Sequence, residues 1–373
     1  MPKPKIAYVT LLDQYHPGIF DSQVIDVCNY LTKNFDADVQ LIAFLSIKEL
    51  HDTNAKKIIK SKCKNAIVLP AFPKLRWFFA TRFLLFLVLL IKPKKALICR
   101  NVFAMQIGLA AKKIGLVKRV AFDGRSAIAA EVSEYDVFPT TYFRKNAARL
   151  EKKAVIGADF CLAVSNQLIQ YWINQYQYSS KKNVVIPCTL QSNIVWKPCS
   201  SENDVVKIVY AGSNAPWQGF DQITTFLHSH PHLHCTLLTK KSAQTDAMQA
   251  IFKERLTIKW LASSQVSETM ATCDYGLLLR PQSVTNKVAS PGKFAEYLAC
   301  GLSVIITPNL GDYSEFVINQ NCGYVWKNNE KLTLEKLATA QKEKNNQLSK
   351  AYFFKESPTN FQNYGLLINN LIK

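Results

Sequence analysis

The chain is built from short apolar runs without polar interruption, separated by longer segments of helical spacing. Runs such as Ile6-Ala7-Tyr8-Val9, Leu97-Ile98-Cys99 and Val304-Ile305-Ile306 are apolar at every position rather than every second one, so strands made from them must be buried on both faces. The helix-sized segments between runs leave room for parallel crossovers and too much chain for hairpins. The pattern predicts strands at 5–10, 39–45, 66–69, 96–99, 119–122, 160–164 and 184–186, with helices at 21–34, 75–91, 102–113, 142–156 and 167–175. Pro187 closes this series, and 188–203, polar with Pro198 and several serines, reads as a linker. A second series follows, with strands at 205–211, 233–239, 258–260, 275–279, 303–307 and 323–325 and helices at 220–228, 266–272, 291–300 and 312–318. The fold class is therefore α/β, two doubly wound parallel-sheet domains at 1–190 and 200–355. A chain of 373 residues exceeds what one core usually holds.

Charge points to an anionic partner. Lys and Arg number 46 against 27 Asp and Glu, a formal net charge of +19, which suits nucleic acid, an acidic membrane surface or phosphorylated substrates. The 10 cysteines form no CxxC pair and several sit inside apolar runs, as reduced thiols of a cytosolic protein would. The N-terminal MPKPKIAYVTLL enters a strand without the apolar core and cleavage site of a signal peptide, so a cytoplasmic protein is expected. The segment 75–91, flanked by Lys74, Lys92, Lys94 and Lys95, has an uninterrupted apolar run only at 83–91, well short of the ~20 residues that span a bilayer. It reads either as a helix lying on an anionic leaflet, giving peripheral attachment to the inner face of the plasma membrane through 75–95, or as a helix packed on a sheet.

The stretch Ser290-Pro291-Gly292-Lys293-Phe294-Ala295-Glu296-Tyr297-Leu298-Ala299-Cys300-Gly301 carries the chemistry. Ser290 is expected to cap a helix, Pro291 to take its first position and Gly301 to end it in the left-handed region. A helix N-terminus offers free N–H groups and partial positive charge to a phosphate. Lys293 adds a full charge, and Glu296, on the same face, can accept hydrogen bonds from a diol. Phe294 and Leu298 point to the core. An exposed Lys293–Glu296 ion pair is the plainer alternative. Open parallel sheets bind ligands beyond the carboxyl ends of their strands, so a cleft between two facing domains is the expected site. Arg280, ending strand 275–279, is placed to join Lys293 at a bound phosphate; a surface arginine is its alternative.

The run P-x-K-x-x-E-Y-L-A-x-G-x-x-V-I resembles the nucleotide-sugar motif of retaining glycosyltransferases of family 4, which have the GT-B fold of two facing Rossmann-like domains. Tyr210 to Gly219, Ala154 to Ser165 and Val185-Ile186-Pro187-Cys188 are similar to other stretches of that family, and the likeness covers most of the chain. It implies that Glu296 binds the donor ribose and Lys293 the diphosphate, that Gly212 and Ser213 form a glycine loop allowing close backbone approach, and that Ser290 and Gly292 lie at the donor. It further implies that Gly18, Ile19 and Ser22 form a loop near donor or acceptor, and that 356–373 is a closing helix packing back on the first domain. Two departures stand out. Val288 replaces the first glutamate of E-x7-E, and Ser213 and Gln218 replace the arginine and lysine flanking the glycine loop.

Phe122-Asp123-Gly124-Arg125 also ends a strand and is similar to the D-x-R-G of some polysaccharide-synthesis members. Asp123 would orient a sugar hydroxyl or stabilise the anomeric centre and Arg125 bind a phosphate or acidic acceptor, the alternative being a structural salt bridge. Glu131 and Glu134 are read on a loop beside the acceptor. Front-face retaining transfer needs no enzyme nucleophile.

The run His228-x-His230-x-His232-x-His234-Cys235 has no carboxylate partner and is not read as a metal site. The sequence has no GxxxxGK[ST] and no GxGxxG, which removes support for ATPase and dehydrogenase chemistry. The resulting expectation is a retaining glycosyltransferase. It would move a sugar from a nucleotide diphosphate sugar to a glycan or lipid-linked acceptor in capsule, O-antigen or related polysaccharide synthesis, without metal or cofactor and without nucleic acid as partner. A nucleotide-sugar epimerase of the same fold and a catalytically silent sugar-nucleotide binder are the alternatives.

Overall fold

The computed structural model describes residues 3–52, 54–72, 75–135, 141–179, 182–191, 197–199, 205–328 and 330–373. Lys74 and most of the expected linker (192–196 and 200–203) lie outside these residues. The chain divides into two units, Met1–Ser192 with Pro358–Lys373, and Asn193–Ser357.

The first unit is a seven-stranded sheet of β1 (Lys5–Leu11), β2 (Asp38–Ser46), β3 (Ile67–Ala71), β4 (Ala96–Arg100), β5 (Arg119–Gly124), β6 (Phe160–Ala163) and β7 (Asn183–Val185) in the order β3-β2-β1-β4-β5-β6-β7. Every pairing is parallel. Residues 6–11 of β1 are all buried, as continuous apolar strands with helices on both faces require. Strand order reverses between β1 and β4, where Thr10 lies opposite Arg100. The helix Pro358–Ile372 belongs to this unit: it buries Tyr364, Leu367, Ile368 and Leu371, and Asn363 Nδ2 donates to the Val185 carbonyl at 2.8 Å.

The second unit has six parallel strands, β8 (Lys207–Ala211), β9 (His234–Leu238), β10 (Leu256–Lys259), β11 (Tyr275–Leu278), β12 (Ser303–Ile306) and β13 (Gly323–Val325), ordered β10-β9-β8-β11-β12-β13. Its order reverses between β8 and β11. Both units are Rossmann-like.

Several helices lack the apolar periodicity that sequence reading requires. Thr339–Phe353 buries Lys342, Asn345, Asn346 and Ser349. Lys342 Nζ donates to the carbonyls of Cys199 (3.0 Å) and Cys273 (2.9 Å), and Ser349 Oγ to that of Ala295 (3.2 Å). Its polar face is thus the buried one. Ala55–Lys62 buries only Ala55 and Ile59, too narrow a stripe to read. Glu131 and Glu134, expected on a loop, lie on the helix Ile128–Tyr135. The strand expected at 258–260 is β10, shifted toward the N-terminus and leaving Trp260 64% exposed beyond its end.

Among the described residues no helix is long and apolar enough to cross a membrane. The helix Leu75–Ile91 has two apolar faces of different fate. Thr81, Leu85 and Leu89 are buried at successive i, i+4 positions, while Phe79, Phe83, Leu87, Leu90 and Ile91 are exposed. All 10 cysteines are free thiols, most of them buried.

Candidate functional site

At the reversal point of the second sheet, the loop after β8 meets the end of β11. Gly212 opens this loop for a reason internal to the chain: a Cβ there would meet the Tyr210 hydroxyl at 2.5 Å, and that hydroxyl folds back to donate to the Ser213 carbonyl at 2.7 Å. Gly219 closes it at φ +73°, where a side chain would strike the Leu279 carbonyl oxygen. The loop therefore lies directly on the backbone of Leu279 and Arg280.

Arg280 is 8% exposed and is not a surface arginine. Its N–H donates to Thr307 Oγ1, and Thr307 Oγ1 donates to its carbonyl, both at 3.0 Å. Its guanidinium donates through Nη2 to Gln218 Oε1 at 3.2 Å and through Nη1 to Asn286 Oδ1 at 3.4 Å. Gln218, standing where the resemblance expects a cation, instead holds a cation that arrives from the neighbouring strand. Asn286 donates onward to the Pro281 and Trp217 carbonyls at 2.9 and 3.3 Å. Sequence reading missed it. The local signal was Ser283 three residues before, whose Oγ accepts the Asn286 N–H at 3.1 Å.

The helix Gly292–Ala299 begins differently from expectation. Its N-cap is Pro291, with no side-chain capping bond, because Ser290 sits one residue too early and its hydroxyl pairs with that of Tyr313 at 2.5 Å. The first turn is thus left uncapped by side chains. Apart from its chain neighbours and its own helix backbone, nothing lies within 4 Å of a Cβ built on Gly292, so the space beside Gly292 is open, although Pro291 and Phe294 on either side are buried. Lys293 Nζ and Glu296 Oε2 form an ion pair, their side chains 32% and 25% exposed. This is the ion pair named as the plainer alternative, in a half-buried setting. Phe294 and Leu298 are fully buried. Tyr297 anchors the helix to the glycine loop: its hydroxyl accepts the Ala211 N–H at 2.9 Å and donates to the Leu277 carbonyl at 3.2 Å. Val288, in place of a glutamate, is 2% exposed. Gly301 ends the segment at φ +87°.

In the first unit, Asp123 and Arg125 come together as a buried salt bridge. Arg125 Nε lies 2.8 Å from Asp123 Oδ1, and Arg125 Nη2 donates to Oδ2 at 3.0 Å. The Tyr8 hydroxyl also donates to Oδ2; burial, with the nearby Asp123 charge, pushes its pKa well up, so it stays a donor. Asp123 is 1% exposed and its oxygens are committed to the protein. Arg125 Nη1 donates to Gln23 Oε1 at 3.2 Å, and Gln23 Nε2 to the Thr189 carbonyl at 2.6 Å. The expected loop at Gly18 is a helical turn, Pro17–Phe20, running into a π-helical stretch, Asp21–Ile25. The stretch buries Gln23, and such stretches recur at functional sites. Ser22 Oγ is spent on the Gly18 carbonyl at 2.7 Å, whereas Gly18 and Ile19 are exposed. Sequence reading missed Tyr8, Asp13, Gln23, Arg100 and Asn101. Asp13, Arg100 and Asn101 stand at the ends of β1 and β4, which was the available signal. Burial pushes Glu131 up to about 7, with the Glu134 charge adding to the rise and the Ser126 hydrogen bond opposing it.

The histidine run is structural at its centre. His230 is 1% exposed, its Nδ1 faces the Phe226 carbonyl at 2.8 Å, and its Nε2 accepts the Leu332 N–H at 2.9 Å. Among the described residues no three His, Cys, Asp or Glu side chains are grouped to hold a metal.

No protein-family model and no curated protein matches the chain. Solved structures do. Sucrose-phosphate synthase from Thermosynechococcus elongatus aligns with TM-score 0.72 and 13% identity over 99% of both chains. HepE of Anabaena, in complex with UDP and glucose, aligns at 0.67 and 15% over 98% of this chain and 100% of its own. The lipopolysaccharide outer core galactosyltransferase WaaB, in its apo form, aligns at 0.67 and 12% over 98% and 99%. At these identities the likeness is one of fold: the chain has the GT-B fold, with one Rossmann-like parallel sheet in each unit.

Proposed function

We propose that the chain is a glycosyltransferase using a nucleotide diphosphate sugar. The observation that carries this reading is the convergence, on the carboxyl edge of the second sheet, of a glycine loop, a clamped arginine and a helix N-terminus bearing Lys293 and Glu296. The uncapped N–H groups and Lys293 would hold the diphosphate, and Glu296 would exchange its bond to Lys293 for the ribose hydroxyls. Arg280, held by Gln218 and Asn286, would supply the fixed positive charge that a departing diphosphate requires; preoriented groups stabilise such charge without reorganising. In the first unit Arg125 would meet the acceptor or a phosphate, with Asp123 and Gln23 as the residues that orient it. Gly18 and Ile19 would border the same region.

The fold is shared with a sucrose-phosphate synthase and a lipopolysaccharide outer core galactosyltransferase. The family 4 motif supports transfer with retention to a glycan or lipid-linked acceptor in surface-polysaccharide synthesis. No metal or cofactor enters this reading. The exposed face of Leu75–Ile91, with Arg82 over the Phe79 ring at 5.1 Å and Lys92 at its end, supports contact with an anionic membrane.

A thermal-shift panel of UDP-, GDP-, ADP-, CMP- and TDP-sugars tests the donor assignment, since a ligand bound only by the native state raises Tm. One nucleotide class should stabilise the chain, and Glu296→Ala should lose most of that effect. Full donor affinity in Glu296→Ala would refute the assignment.

A further inference from the structure

Every strand of the first sheet runs the same way, so all seven begin along one edge, opposite the edge that carries Asp123 and Arg125. Cations crowd the middle of that amino edge. Lys5 opens β1, Lys92-Pro93-Lys94-Lys95 joins the helix Leu75–Ile91 to β4, and Lys118 precedes β5. Backbone bonds hold them side by side: the Lys95 N–H donates to the Lys5 carbonyl at 2.8 Å and the Lys118 N–H to the Lys95 carbonyl at 3.0 Å. Lys95 is spent, its Nζ donating to the Ile372 carbonyl.

Lys94 is not spent. It is 8% exposed, yet among the described residues its ammonium makes no hydrogen bond and no salt bridge. Lys342, also buried, shows the ordinary arrangement: two carbonyls take its protons and Asp274 Oδ1 lies 3.6 Å away. The Lys94 Nζ is not one of the buried polar atoms that lack a partner, so its stem is packed while its tip meets solvent. Burial lowers its pKa; the Asp38 carboxylate opposes that, and the Lys5 and Lys92 charges add to it. Asp38 stands opposite Lys5 in the sheet and forms no salt bridge with Lys94. An ammonium held this deep without a partner costs the free protein stability, and like charges beside it raise that cost.

An anion docked at the tip relieves both costs, and a phosphate, with several acceptor oxygens, can take protons from more than one ammonium at once. The residues before Lys92 indicate what carries that phosphate. Leu90 and Ile91 are 63% and 76% exposed and continue the outer apolar face of Leu75–Ile91. A free phosphate gains nothing from them, whereas the acyl chain of a phospholipid would cover them. We infer that Lys94, flanked by Lys5 and Lys92, receives the headgroup phosphate of an anionic phospholipid. The lipid as its source rests on the membrane contact proposed for Leu75–Ile91; the anion site does not.

The test uses the full chain. Dihexanoyl phosphatidylglycerol, an anionic lipid short enough to stay dissolved, should give a saturable rise in Tm, larger than dihexanoyl phosphatidylcholine or inorganic phosphate gives. Lys94→Met keeps the buried stem and removes the ammonium. It should weaken the lipid response about tenfold or more, the loss of a hydrogen bond between charged groups. Without lipid its Tm should be unchanged or higher, because an unpaired buried charge is gone. Lys5→Gln, at an exposed position, should weaken the response in the same direction without touching that stem. Lys113→Gln, an exposed lysine ending the helix Asn101–Lys113, should change it little. Sedimentation with long-chain vesicles reads the membrane contact separately: if the native protein ignores anionic vesicles while the Lys94-dependent rise in Tm persists, the inference stands and only the membrane reading fails. A response to inorganic phosphate as large as that to the lipid, no saturable response to the lipid, a response that survives both Lys94→Met and Lys5→Gln, or a lower lipid-free Tm in Lys94→Met overturns the inference.

Discussion

The hydroxyl of Tyr297 accepts the backbone N–H of Ala211 at 2.9 Å, tying the helix that carries Lys293 and Glu296 to the residue before Gly212. Tyr297→Phe would leave that N–H and the Leu277 carbonyl buried without their partner, a cost of about 1–3 kcal/mol. The expected outcome is a lower urea midpoint with unchanged m-value, accompanied by weaker donor binding as the helix start loses its register with the glycine loop. A stability loss with donor affinity intact would mean that the tie serves the fold alone.

Arg280 should matter more than Lys293, because it is held at both ends and its neighbour is a loop with no other cation at Ser213 or Gln218. Arg280→Gln is expected to raise the donor Kd by about ten- to a hundredfold, the range for losing hydrogen bonds to a charged group. Gln218→Leu, which removes only the support at Nη2, should raise it less. Calorimetric titration of both variants would show whether that order holds.

Glu151 offers a pH signature independent of ligands. It is fully buried, and burial pushes it up to about 7, even though its Oε2 accepts the Ala129 N–H at 3.1 Å and the Tyr176 hydroxyl at 3.0 Å. The folded chain therefore holds a proton that the unfolded chain releases near pH 4.3. Between those two values the native state binds more protons, so the contribution to stability is full at low pH, falls as pH rises, and levels off above about 7. Relative to Glu151→Gln, the native protein should lose about 3 kcal/mol between pH 4.5 and 8. Parallel pH profiles of the two proteins, followed by urea unfolding, would contradict this.

The outer face of Leu75–Ile91 predicts lipid binding. Phe83→Asp and Leu87→Asp, both at exposed positions, should leave folding unchanged and abolish sedimentation with anionic liposomes, since each large apolar side chain moved into lipid contributes about 1.5–3 kcal/mol. Equal, negligible sedimentation of the native protein with anionic and neutral liposomes would leave the helix with only its packed face as a role.

Much of the fold was legible because its determinants are local. Continuous apolar runs place β1, β4 and β12, since burial on both faces is recorded residue by residue along the strand. The core-facing Phe294 and Leu298 follow from helical spacing alone, and Gly301 from the left-handed residue that ends such a helix. The helix Thr339–Phe353 escaped for the opposite reason. It buries amides and a lysine against carbonyls of other elements, so no apolar stripe marks it. Ser290 looked like a cap because serine in that position usually is one, but Tyr313 competes for its hydroxyl from 23 residues away.

The chain's own order of residues thus determined two parallel α/β sheets and the helix bearing Lys293 and Glu296. Only tertiary structure decided which charges are spent and which stay open. Asp123 is committed to Arg125 and Tyr8, Arg280 is claimed by Gln218 from 62 residues away, and Asp13 meets Arg100 because β1 and β4 are neighbours across the sheet's reversal. Hydrophobic burial depends on each residue's own chemistry and period. The partner of a buried charge depends on strand order, which spacing along the chain does not encode.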